Sequence, residues 1–522
     1  MRRARGLLVL SAVSVAALAA SVVLPFRSPA LAASQPLAGA RTRLMKAPIG
    51  RAIPVDIPAA FRAGLPGQTV PAPAPQPGAE STPAFDVFVP PSGMAVDAAE
   101  PSIGVNWNTG NIMFQAYVET TRVSIDESTP PVATWTDVTA PNQVLSMDPI
   151  LFTDPVTGQT AVSQLVSTLY AGVGGCSLSA VTGDDGENWT VSEGCGPPGT
   201  NDHQTIGGGA YADPTNAGAT YPHSMYYCGQ NGYFANCSLS TDGGVTYGPA
   251  APMYTDAGRP AVDGKTPGVT CFGLHGHIKV GPDGTAYLPN IGCGKVALQN
   301  RLQGVVVSED DGQTWEARTV AGAFYNDFKS DPSVAIGSDN TVYLSYEEKA
   351  GGVKVVVSTD HGKHFTEPID LGASIGVQQG VFPAAVAGDG DRAAVAFVGT
   401  TTKGVAPNFY EASNFAGEWH LYIATTYDRG ATWTTVDATP NDPVQRGCIW
   451  WGNGNCPDTQ RNLLDFIDAS IDKFGRVVVG YADGCIGACV QGGANTQEDI
   501  GAIARQARGL SLFSAYDGMF TP

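Results

Sequence analysis

From about residue 99 to the end, the chain repeats one pattern. A short apolar run meets a turn rich in Gly, Asp and Asn, and a second short apolar run follows. AEPSIGVNWNTGNIMFQAY starts near 99, MDPILFTDPVTGQTAVSQL near 147 and NDHQTIGGGAY near 201. LHGHIKVGPDGTAYLP follows near 274, SDPSVAIGSDNTVYLSY near 330, VFPAAVAGDGDRAAVAFVG near 381 and FIDASIDKFGRVVVGYADG near 466. Each run is too short for a helix and is bounded by residues that favour turns, so each unit predicts two antiparallel strands. The units recur about every 61 residues, a period that marks an architecture of repeats.

A second motif recurs between these hairpins. It reads TGDDGENW at 182–189, STDGGVTY at 240–247, SEDDGQTW at 308–315, STDHGKHF at 358–365 and TYDRGATW at 426–433. In every copy a Ser or Thr precedes an Asp by two, a Gly follows by two, and an aromatic residue closes the motif. This is hairpin-turn chemistry. The carboxylate accepts backbone N–H groups, the glycine takes angles that other residues resist, and the ring packs beneath.

These five copies resemble the Asp-box, or bacterial neuraminidase, repeat, and the resemblance spans most of residues 100–484. It implies an all-β fold, a β-propeller of four-stranded blades. In that family the repeat is structural, so Asp184, Asp242, Asp310, Asp360 and Asp428 receive no catalytic role. The seven hairpin openers predict seven blades, or six if one opener is a decorated loop.

The N-terminus breaks the pattern. Arg2, Arg3 and Arg5 precede an apolar run (residues 6–24), and Ala30-Leu31-Ala32 offers small residues for cleavage, so residues 1–32 read as a signal peptide. An uncleaved anchor is the alternative. Residues 33–83 are a Pro/Ala-rich flexible lead-in, and 84–522 form a single propeller domain. No later segment has about 18 uninterrupted apolar residues, so no membrane span is expected after cleavage. The expected location is secreted, outside the cell.

Cysteine content agrees with export. The ten cysteines suggest five local disulfides, Cys176–Cys195, Cys228–Cys237, Cys271–Cys293, Cys448–Cys456 and Cys485–Cys489, although order alone does not set connectivity. A zinc site competes with that reading but lacks paired C-x-x-C spacing. The formal charge is −19, and losing residues 1–32 would remove four arginines and no acid. So acidic a surface repels phosphate backbones, which argues against a nucleic-acid partner.

Candidate chemistry sits on the openers. Aligned on their turns, they place Glu100, Asp148, Asp202, His275 and Asp331 at one position. Ser102, Gln204, His277, Ser333 and Asp468 lie two residues on, hence on the same strand face. In a propeller these strands line the channel and begin at its ligand-binding mouth. Glu100, Asp148 and Asp331 are the acid/base candidates for glycoside cleavage. Asp202, His203, His275 and His277 are the candidates for holding a divalent metal ion. Structural hydrogen bonding to neighbouring N–H groups is the plain alternative for each acid.

Sialidases are the best-known Asp-box propellers, and the resemblance implies three arginines gripping a carboxylate, a Tyr–Glu nucleophile pair and an Asp acid. The first arginine's position reads Ala99-Glu100-Pro101-Ser102 here, so an acid stands where a cation is expected. Arg259, Arg301, Arg446 and Arg461 remain as candidates for gripping an anionic sugar, with Asp468 as a further substrate contact. Tyr481 is a nucleophile candidate without an evident Glu. Three functions follow: a glycosidase acting on an extracellular glycan, a metal-assisted polysaccharide lyase, and a non-catalytic propeller that binds glycan or protein. No nucleophile elbow, phosphate loop or H-E-x-x-H occurs.

Overall fold

In the computed structural model, residues 82–520 are described apart from 144–147, 166–176, 193–201, 217–219, 231–233, 256–269, 295–299, 327–329, 349–350, 405–411, 450–455, 457–461, 494 and 496–497. The expected signal peptide, most of the expected lead-in, Arg259, Arg461 and the expected Cys176–Cys195 pair lie outside the described residues. So do the side chains of Asp202 and Thr255.

The strands form seven antiparallel sheets, six of four strands and one of five. The chain is a seven-bladed β-propeller, and every opener begins a blade. Inner strands are Ser102–Val105, Pro149–Thr153, Asp202–Gly209, Lys279–Val280, Ser333–Ile336, Gln379–Ala387 and Asp468–Ile471. Among the described residues the only helices are short 3₁₀ turns.

Six blades are built from consecutive strands. The seventh is not. Its inner three strands are Asp468–Ile471, Val477–Asp483 and Ile500–Arg508, and its outermost strand is Ala84–Phe88, from the start of the domain. Phe85 pairs with Gln506 and Phe88 with Ile503, so the two ends of the domain close the ring.

Second strands such as Val342–Glu347 are buried along their whole length, because both faces of a blade pack against neighbours. One interblade core joins Tyr343, Val355, Val395, Phe397 and Tyr422. Burial on both faces explains why these strands read as apolar runs rather than alternating patterns.

The repeated turns behave as their chemistry requires. Asp310 Oδ1 accepts from Ser308 Oγ (2.9 Å) and Thr314 N (2.8 Å), and Oδ2 accepts from Thr314 Oγ1 (2.6 Å). Gly186 has φ of 87°, and a Cβ there would lie 2.6 Å from Val138 of the preceding blade. The closing aromatics cross the seams. Trp315 packs edge-on against Tyr226 at 6.4 Å and Trp433 against Tyr343 at 6.4 Å.

A sixth turn of this kind was not read from the sequence. Ser124-Ile125-Asp126 opens it in the first blade, but Ser128 stands where the glycine would fall and Pro131 where the aromatic would. Asp126 Oδ1 still closes the loop, accepting from Ser128 N (3.2 Å) and Val132 N (2.9 Å).

Four of the expected disulfides form, Cys228–Cys237, Cys271–Cys293, Cys448–Cys456 and Cys485–Cys489. No described helix is long and apolar enough to cross a membrane.

Candidate functional site at the channel entry

All seven inner strands start at one end of the central channel, here the entry face. Their far ends share the opposite face with the repeated turns, where Asn106 Nδ2 donates to Asp185 (2.7 Å) and Arg429 to Asp339 (2.7 Å). The channel holds a cavity of about 180 Å³ touched by every inner strand, with His277, Lys279 and Asp468 as its charged or titratable lining.

Entry-face side chains hook one blade to the next. Asp148 Oδ2 accepts His203 N (2.9 Å), Thr205 Oγ1 accepts Ile278 N (3.0 Å), Ser333 Oγ accepts Ala385 N (2.9 Å), and Asp468 Oδ2 accepts Ile103 N (3.1 Å). Buried inner-strand N–H groups need such partners at the seams. Part of the acidic ring is therefore structural.

Two pairs at the mouth do more than that. His203 Nε2 lies 3.1 Å from Asp331 Oδ1, both side chains less than a tenth exposed. Across the channel, His277 Nδ1 lies 3.6 Å from Asp468 Oδ1. His277 packs edge-on to Phe466 at 4.7 Å, which fixes its ring plane.

The two carboxylates sit in opposed environments. Burial pushes Asp331 above the usual carboxylate range and Asp465 adds to it, while His203 and His277 offset only part. Burial acts on Asp468 too. There the charges of Lys279 and His277 and the Ile103 N–H outweigh it, so Asp468 stays below the usual range. One carboxyl is biased to hold its proton and the other to lose it, both influenced by His277.

Left-handed backbone occurs at both ends, in the repeated turns at Asp185, Asp311, His361 and Arg429 and again at the entry. Glu100, His203 and Phe382 are non-glycine residues at left-handed φ of 59°, 44° and 58°. At His203 and Phe382 the register slips, between Asp202 and Thr205 and between Val381 and Ala384. Strain of this kind costs about 1–3 kcal/mol per residue and concentrates at functional sites.

The expected site residues divide accordingly. Asp331, His203, His277 and Asp468 come together at the mouth. Asp148 is half-buried and holds the His203 backbone, and Glu100 is buried just before the first inner strand. His275 turns elsewhere, its Nδ1 2.9 Å from the Gly276 carbonyl, and it bridges to Asn290. Among the described residues no three His, Cys, Asp or Glu side chains gather as a metal site. Arg446 is engaged by its own chain, through Glu418 and, at 2.7 Å, the Cys489 carbonyl. Trp419 is fully buried and donates to the Gly447 carbonyl (2.8 Å).

Several residues carried no signal of their own. Lys279 follows His277 by two and is the cation nearest Asp468 in effect. Glu347, fully buried, accepts from Ser330 Oγ (2.8 Å) and Gln379 Nε2 (3.0 Å). Asp483 and Asp499, at the entry end of the last blade, are pushed up to about 7 by burial, with Asp442 raising the first and Asp97 the second. Tyr481 is fully buried, its hydroxyl raised by burial and by Asp483 and Asp442, so its acidic neighbours are aspartates.

No protein-family model matches the sequence, and no curated protein matches it. Among solved structures the chain is similar to a protein of unknown function from Dyadobacter fermentans, 15% identical over 80% of this chain and 97% of that one, with a TM-score of 0.39. It is similar to YCF48 bound to a D1 peptide, 9% identical over 82% and 98% with a TM-score of 0.42. The NanB sialidase from Streptococcus pneumoniae is 8% identical over 81% and 95%, TM-score 0.39. The propeller assignment rests on the strand ladders.

Proposed function

We propose that this chain is an exported glycoside hydrolase built on an Asp-box propeller of the sialidase-like kind, with its active site at the channel entry. The carrying observation is the pair of buried carboxylates, Asp331 and Asp468, biased towards opposite protonation states beside His277. Glycoside hydrolysis needs that division of labour. Asp331 gives its proton to the leaving-group oxygen as the glycosidic C–O bond breaks. Asp468 takes a proton from the water whose oxygen bonds to the anomeric carbon. His203 and Asp148 position this machinery, and Glu100 shapes the mouth through its backbone. The disulfides and the signal-like N-terminus support secretion.

Charge at the mouth narrows the substrate. Asp468 and Asp148 face it as carboxylates with Lys279 as counterweight, which suits an uncharged sugar unit at the reacting position. An anionic unit would depend on Lys279 for neutralisation.

The test is mass spectrometry of a panel of neutral, sialylated and uronic-acid glycans after incubation with the purified protein. Cleavage with gain of water is expected, and Asp331→Asn and Asp468→Asn are each expected to lose at least about 100-fold in turnover. Elimination products would identify a lyase, and no cleavage with or without added divalent ions would identify a binding propeller. Either outcome overturns the reading.

A further inference from the structure

The turn face carries a second concavity, at the seam between the first and seventh blades and away from the channel. It holds about 240 Å³, and Asn111, Ser124, Glu127, Lys473, Arg476 and Arg505 are among its lining. In a chain of formal charge −19 it stands out, with three cations against two carboxylates, Glu127 and Asp472.

Both arginines are about nine-tenths buried, and one carboxylate reaches both. Glu127 Oε2 accepts from Arg476 Nη1 (3.1 Å), while Oε1 accepts from Arg476 Nη2 (2.9 Å) and Arg505 Nη1 (3.1 Å). The Glu127 side chain is itself 66% exposed. It belongs to the irregular turn of the first blade, the one that departs from the repeated motif. The chain's own carboxylate thus covers a guanidinium pair from the solvent side, on a side chain that returns readily to water. Beneath it, Asp472 Oδ2 keeps Arg476 in place from the interior (2.5 Å). Burial and the neighbouring Arg476 hold the Arg505 guanidinium below its usual value, the mark of a cation short of negative charge.

Arginine recognises a carboxylate through paired N–H groups in a plane. Beside that pair, Ser124 Oγ donates to Asn111 Oδ1 (2.7 Å) and Asn111 Nδ2 to Asp185 Oδ2 (2.8 Å), which leaves the hydroxyl lone pairs and the second amide N–H for sugar hydroxyls. The volume falls below the roughly 300–1,000 Å³ of drug-sized sites, which suits a single ring.

We propose that this seam pocket binds an acidic sugar unit whose carboxylate takes the place of Glu127 on Arg476 and Arg505. It is a binding site independent of the channel entry, and it gives an acidic protein a means of holding an acidic glycan.

Calorimetric titration of the purified full chain with glucuronate, and with glucose as the uncharged control, tests it. Glucuronate is expected to bind and glucose not. Glu127→Gln removes the competing carboxylate and should tighten glucuronate at least threefold, whereas Arg505→Gln should weaken it at least tenfold. Asp331→Asn, at the channel entry, should leave glucuronate affinity unchanged. Equal binding of glucose, no binding by either the wild type or Glu127→Gln, or loss of binding in Asp331→Asn would each overturn the proposal. Inorganic sulfate forms a further arm, and binding as tight as that of glucuronate would overturn the sugar assignment.

Discussion

The two ends of this propeller treat their carboxylates in opposite ways. On the turn face Asp184, Asp310 and Asp428 are partly buried, yet local hydroxyl and N–H donors outweigh that burial and hold them below the usual range. Asp154, fully buried there, stays low through His223, Tyr221 and Thr157. At the entry face burial wins for Asp331, Asp442, Asp483 and Asp499, all raised. Each end has an exception: Asp391 on the turn side, raised by burial that Arg392 only partly offsets, and Asp468 at the entry, held low against burial by Lys279 and His277. The same residue type thus does scaffold work at one end and stores chemical potential at the other. Satisfied acids mark architecture, and acids left short of donors mark the place to look for chemistry.

The contrast can be broken first by pH. A carboxyl near 7 in the fold and near 3.8 unfolded binds its proton more tightly when native, so it costs stability as pH rises from about 4 to about 7 and nothing further above that. Each of Asp483 and Asp499 contributes at most about 4 kcal/mol to that fall, less where their titrations are coupled. Denaturant unfolding at pH 5 and pH 8 should show the decline, and Asp483→Asn together with Asp499→Asn should flatten it. A profile that is already level in the wild type ends the contrast.

A smaller effect is expected on the turn face. Asp310→Ala deletes an acceptor of three hydrogen bonds and should cost about 1–2 kcal/mol by denaturant unfolding, with turnover of the folded protein unchanged. Lost turnover at full folding would place chemistry at the wrong end. The smallest effect belongs to Arg429→Ala, which breaks the Arg429–Asp339 pair, both side chains nearly half exposed. It should shift stability by less than about 1 kcal/mol and less still in high salt.

Most of the fold was legible because blades announce themselves locally. A Ser or Thr, an Asp and a Gly within five residues are enough to dictate a turn, and seven openers were enough to count blades. Two features had no local signal. The strand Ala84–Phe88 finds its partner more than 400 residues away, and nothing in AFDVF names Ile500–Arg508 as that partner. The first blade's turn has Ser128 in place of the glycine and Pro131 in place of the aromatic, which conceals its kinship with the other five.

The site was half legible. Strand alternation placed His277, Asp331 and Asp468 at the starts of inner strands, and they lie at the channel entry. It paired His275 with His277 as neighbours facing one point, but the fourth inner strand has ladder pairing only at Lys279–Val280, and upstream of it strict alternation lapses. Likewise the register slip between Asp202 and Thr205 accompanies the presentation of His203 to Asp331. Bulges re-aim side chains, and periodicity alone does not disclose them.

The borrowed outer strand of the last blade also governs how the molecule comes into being. The ring closes only after the whole domain has been made, because the first strand synthesised must wait for Ile500–Arg508. Contacts of such long sequence separation make for slow folding, and until closure the strand Ile500–Arg508 presents an unpaired edge. Removing Ala84–Phe88 should leave Ile500–Arg508 without its outer partner and open the ring.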